Sequence, residues 1–120
     1  MTAPTRRERC ATPAFVAVVL LSLVVLFAPD APSEHAIPNV DKVVHATLFL
    51  LLAATTWWRF DGRLAALASV VGYGGLSEVI QSVALPSRDG DVRDVLADAP
   101  GALLGWVVVR WISGQARPVR

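Results

Sequence analysis

Charge is scarce in this chain. Of its 120 residues 18% are charged and 54% are apolar, against roughly 25% charged in an ordinary soluble domain. A soluble fold of this length needs a charged shell over a small core, so the deficit points to lipid. The net charge is only +1, and no basic patch is interleaved with aromatic residues, which argues against nucleic acid as a partner. The single cysteine, Cys10, excludes an internal disulfide and a cysteine metal cluster. Placed just ahead of the first apolar run, it is either a small interfacial hydrophobe or an acylation site. Also missing are a Gly-rich phosphate loop, a zinc-protease helix motif and a Ser/His/Asp arrangement with family spacing. The two histidines, His35 and His45, lack the helical spacing of paired metal ligands. A soluble catalytic domain is therefore excluded, and no cofactor is expected.

What is present is four apolar runs. Cys10 to Pro29 is a 20-residue stretch without charge, and a helix rising about 1.5 Å per residue needs about 20 residues to cross a hydrocarbon core of about 30 Å. Val43 to Trp58 carries His45 as its one titratable group, with Trp57 and Trp58 suited to the headgroup zone before Arg59. Leu64 to Leu85 is broken only by Glu78 and Gln81, and Pro86 stops it. Val95 to Ile112 has Asp98 near its start and Arg110 near its end, where a long side chain can snorkel. The pattern predicts an all-α integral membrane bundle of four transmembrane helices forming a single membrane domain over 1–120. The rival reading of the first run is a cleaved secretory signal behind Arg6, Arg7 and Arg9; three further spans follow it, which favours a retained helix.

Basic residues accumulate on the cytoplasmic side of a membrane. With four spans, one side holds Arg6, Arg7, Arg9, Arg59, Arg63, Arg110, Arg117 and Arg120, and the other holds only Lys42, Arg88 and Arg93. The expectation is a multi-pass protein of the cell membrane with both termini cytoplasmic. The opposite face is acidic, with Asp30, Glu34, Asp41, Glu78, Asp89, Asp91, Asp94 and Asp98 on it or just inside it.

Ionisable groups within apolar helices are costly, so their collection at one level points to a site. Asp41 and His45 are four apart and share a helix face, with Asp41 near the positive end of the dipole. Asn39 or Asp41 is suited to cap that helix, and Lys42 can snorkel. His45 lies about a turn inside its span, where an imidazole needs a partner, and a carboxylate from another helix is expected. Glu78 and Gln81, three apart, can both point into the bundle at that depth. Arg88, Asp91 and Asp94 follow, with Asp98 one turn further in. A helical Asp91, Asp94 and Asp98 would make a carboxylate stripe in need of a cation, either Arg88 or a divalent metal ion. The alternative for this region is a solvated acidic loop. Gly101 and Gly105 form a G-x-x-x-G that permits close helix approach, and Gly72, Gly74 and Gly75 are expected to do the same in the third span. Pro100 should bend the fourth span and free backbone carbonyls near Asp98.

Taken together, Asp41-Lys42-x-x-His45 with Phe49 four residues on, Glu78-x-x-Gln81, Arg88-x-x-Asp91-x-x-Asp94 and Gly101 to Gly105 resemble the VanZ-like family of small bacterial membrane proteins. The resemblance covers about 41–105. It implies a compact helical membrane protein whose namesake confers low-level resistance to the glycopeptide teicoplanin. The chain departs from the family pattern at Asp98, where asparagine is usual, and at Pro100.

Three functions compete. The first and favoured one is a non-enzymatic envelope protein whose polar site binds a membrane lipid headgroup, a lipid-linked cell-wall precursor or a partner protein. The second is a membrane-embedded enzyme on a lipid-linked substrate, with Glu78 or His45 as acid or base and Arg88 holding a phosphate. The third, a proton or cation pathway, requires ionisable groups through the whole thickness. The inner halves of the spans offer only the hydroxyls of Ser22, Thr55, Thr56 and Ser69.

Overall fold

The computed structural model describes residues 6–28, 39–85 and 92–115. They form four helices, α1 (Arg6–Phe27), α2 (Val40–Phe60), α3 (Leu64–Ala84) and α4 (Val92–Gln115), and no strand occurs among the described residues. The segments able to cross a bilayer within them are 19, 21, 21 and 23 residues long, enough for a hydrocarbon core of about 30 Å. α1, α2 and α4 begin three or four residues ahead of the apolar runs. Backbone hydrogen bonds need no apolar side chain, and acidic residues such as Asp41 and Asp94 in a first turn suit the positive helix end.

The bundle is polar inside and apolar outside. Val83, Val92 and Leu64 are 82%, 76% and 74% exposed, while His45, Glu78, Gln81, Asp94 and Asp98 are buried. In water both features would be unfavourable; in lipid the apolar rim is solvated and the polar groups are sheltered by one another.

α2 packs most extensively against α4, and the reason lies in two glycines. A Cβ on Gly101 would collide with the Ala46 carbonyl oxygen, and one on Gly105 with that of Leu50. The G-x-x-x-G ridge of α4 thus lies directly on the α2 backbone, one helical turn matched to one helical turn. Ala53 and Ala102, both fully buried, extend this small-residue interface, and Phe49, also fully buried, fills the space beyond it. Pro100 lies inside α4, whose helix continues on both sides. Lacking an N–H, it cannot satisfy the Leu96 carbonyl.

The glycines of α3 divide: two of the three expected to pack closely do not. Gly72 and Gly75 have nothing within 4 Å of where a Cβ would stand, so neither mediates close packing. Gly74 does, with Asp98 Oδ2 and Phe49 Cε1 each 3.2 Å from its Cβ position. Gly74 shares a helix face with Glu78, four residues on, and that face turns inward. Asn39 occupies the N-cap of α2 in a left-handed conformation (φ 64°), and its side chain makes no capping hydrogen bond. The chain leaves α2 through Asp61 (φ 54°) and Gly62 (φ 69°), whose amides both donate to the Trp57 carbonyl. At Gly62 a Cβ would stand 2.7 Å from Trp57 Nε1, so glycine is required both by conformation and by space.

Candidate functional site: a buried His, Glu and Asp cluster

Three helices each deliver one ionisable side chain to the same depth. His45 lies five residues into α2, Asp98 six residues into α4, and Glu78 six residues before the end of α3, which places each about 8 to 9 Å along its helix from one end of the bundle. His45 Nδ1 is 3.0 Å from Asp98 Oδ1 and 3.9 Å from Glu78 Oε1. Exposure is 6% for His45, 6% for Glu78 and 2% for Asp98. The carboxylate partner expected for His45 is therefore found, and it comes from α4, with a second carboxylate from α3 close by.

Asp98, one of the residues expected at the site, lies nearest to the imidazole. Its second oxygen, Oδ2, is buried without a hydrogen-bond partner among the described residues. That oxygen lies against the face of α3 at Gly74, the face that also carries Glu78. A side chain at residue 74 would occupy the space into which the carboxylate fits. Gly74, expected from the sequence only as a packing glycine, thus borders the cluster, and its spacing of four from Glu78 is the signal that could have placed it there.

Gln81, 3% exposed, does not join the cluster through a described contact. Its Nε2 donates instead to the Leu26 carbonyl at 2.6 Å. Leu26 lies in the last turn of α1, where carbonyls take partners from outside the helical ladder. Gln81 thereby ties α1 to the site-bearing end of the bundle, a link that no motif in the first span announced.

Nearer the end of the bundle lies a second tier. Lys42 Nζ is 3.2 Å from Asp41 Oδ2 and 3.7 Å from Asp94 Oδ1. Lys42 is three residues before His45 and Asp94 four before Asp98, so each outer residue sits one turn above an inner one. The lysine therefore does not snorkel freely. Arg88 and Asp91 lie outside the described residues, as does the expected stripe from Asp91; Asp94 and Asp98 share one face of α4.

Ser22 donates to Val19 O and lies 3.1 Å from Tyr73 Oη of α3. At the other end of the bundle Thr55 donates to Leu51 O and Ser69 to Ala65 O, while Thr56 Oγ1 is buried without a hydrogen-bond partner among the described residues. An apolar crevice of about 500 Å³ opens there between α1, α2 and α3, lined by Phe15, Val19, Leu52, Val70 and Tyr73 among others.

A family described as VanZ/LLP1 matches residues 11–113, well beyond the expected 41–105 and including most of α1. The chain is also similar to an uncharacterized protein of Schizosaccharomyces pombe, with 35% identity over 96 residues, 75% of this chain. The match covers 56% of that relative, so the chain spans little more than half its length. No solved structure matches.

Proposed function

The chain belongs to the VanZ/LLP1 family, and from that premise we propose that it is a non-enzymatic multi-pass membrane protein that captures the phosphate-bearing head of a membrane lipid or a lipid-linked cell-wall precursor. The observation that carries this reading is the His45, Glu78 and Asp98 cluster, buried between three helices of an otherwise apolar bundle and capped by the half-exposed Lys42. Polar groups held at that depth are expensive in a membrane protein and mark a functional site. Lys42 supplies positive charge that a phosphate requires, and Arg88, outside the described residues, is the second cation assigned to it on sequence grounds. The site faces the outside of the cell, with both termini cytoplasmic.

The test is thermal unfolding of the purified protein against phospholipids and lipid-linked wall precursors. A ligand at about 100 times its Kd stabilises by about 2.7 kcal/mol, a shift of a few degrees in Tm. The expected result is such a shift with one headgroup class, abolished in Lys42→Ala and Arg88→Ala. No shift with any phosphate-bearing lipid removes the reading.

One contact favours a second reading, a membrane-embedded enzyme on the same class of substrate. Asp98 Oδ1 bonded to His45 Nδ1 is the arrangement that fixes an imidazole tautomer and leaves Nε2 as base. If turnover of a lipid-linked substrate is found, His45→Ala and Glu78→Gln should abolish it while the protein still inserts and binds. A transport role has less support, since Thr55 and Ser69 at the other end are engaged with carbonyls of their own helices.

A further inference from the structure

We infer that His45, Glu78 and Asp98 form a binding site for one divalent transition-metal cation, a zinc or manganese ion bound by an imidazole nitrogen and two carboxylate oxygens. One ligand atom from each residue lies within 4.8 Å of the other two. Metal–ligand bonds of about 2.0 to 2.1 Å in tetrahedral geometry hold neighbouring ligand atoms about 3.4 Å apart. The His45 to Asp98 and His45 to Glu78 separations of 3.0 and 3.9 Å bracket that value, so small side-chain movements suffice.

One further observation points to a cation. Asp98, 2% exposed, keeps an oxygen that no described group satisfies, and a buried carboxylate oxygen left without a partner is costly. The mixed nitrogen and oxygen donor set suits zinc or manganese better than the all-oxygen preference of calcium or magnesium. Three protein ligands leave a coordination position free, which is how metal sites that act on a ligand differ from purely structural ones.

This inference rests on the proposed headgroup site and deepens it, because a phosphate oxygen would otherwise meet an acidic pocket. The two can fail separately. The full chain, purified in detergent and stripped with chelator, is titrated with Zn²⁺, Mn²⁺ and Mg²⁺ in the absence of added lipid, and metal retained after desalting is counted. The expected result is one Zn²⁺ or Mn²⁺ per chain, a higher Tm on loading, and affinity weakened about tenfold or more in Glu78→Gln and Asp98→Asn. The lipid-facing control Val83→Ala retains the metal. Should the variants fold poorly, Co²⁺ added to the wild-type chain gives the visible absorption of a low-symmetry nitrogen and oxygen site, and Zn²⁺ removes it. A folded wild-type chain that retains no stoichiometric metal, or an Asp98→Asn chain that retains it undiminished, overturns the metal site. If the chain retains no metal but lipid stabilisation persists in chelator, the metal site is overturned and headgroup capture stands.

Discussion

Asp98 Oδ1 lies 3.0 Å from His45 Nδ1, joining α4 to α2 inside the bundle across 53 residues of chain. The contact rests on close helix approach, because Gly101, one turn beyond Asp98 on α4, sits directly on the backbone of Ala46, the neighbour of His45. Removing the carboxylate leaves the imidazole without its nearest partner. Asp98→Ala should destabilise the bundle by about 1 to 3 kcal/mol, at the lower end if the unfolded chain in lipid finds other partners. Asp98→Asn retains an acceptor for the ring N–H and should cost less than half as much. Equilibrium unfolding in mixed detergent micelles measures both, and equal losses for the two variants would mean that charge, not hydrogen bonding, holds the pair.

The glycines divide into two classes that a single experiment separates. Gly101→Ala and Gly105→Ala place a methyl group into the Ala46 and Leu50 carbonyls, forcing α2 and α4 apart along their main interface. Overpacking of this kind costs about 1 to 3 kcal/mol or more. Gly72→Ala and Gly75→Ala meet open space and should be neutral or stabilising by up to about 1 kcal/mol, since alanine is the better helix former. Thermal melts of the four variants should order them accordingly.

Gln81 is expected to matter for α1 rather than for ligand binding. Gln81→Leu preserves volume but removes the 2.6 Å hydrogen bond to the Leu26 carbonyl. A net loss of about 0.5 to 1.5 kcal/mol is expected, together with faster proteolysis or amide exchange at the C-terminal end of α1. Metal content should be unchanged. A Gln81→Leu chain that melts normally but loses its ligand would move Gln81 into the site itself.

The architecture was legible in the sequence because lipid imposes a simple rule: a spanning segment must be apolar over the full thickness of the hydrocarbon and must satisfy its backbone internally. The four runs obey it, and their helices lie close to where the runs lie. The level of the site was legible for the same reason, since His45, Glu78 and Asp98 are conspicuous in apolar helices. Which carboxylate meets His45 was not, because Glu78 and Asp98 are at equivalent depths and only the α2–α4 contact made by Gly101 brings Asp98 nearer. The rotation of each helix was also hidden. α3 buries 74 and 78 and turns 72 and 75 outward, and runs rich in apolar residues on every side carry little directional signal. The link from Gln81 to α1 was invisible because its acceptor is a backbone carbonyl.

The orientation of the bundle can be decided with the single cysteine. Cys10 is exposed and lies near the start of α1, on the side opposite to the site-bearing ends of α2 and α4. If the arginine excess keeps the N-terminus in the cytoplasm, a membrane-impermeant maleimide should leave Cys10 unlabelled in intact cells and label it after permeabilisation. In a Cys10→Ser background, Asn39→Cys, at the N-cap of α2, should show the reverse pattern and label in intact cells. The pair guards against a cysteine that is merely unreactive, because each variant is the other's control. Labelling of Cys10 from outside would place the His45 cluster on the cytoplasmic side. An extracytoplasmic wall precursor would then be excluded as its ligand, and a headgroup of the inner leaflet would take its place.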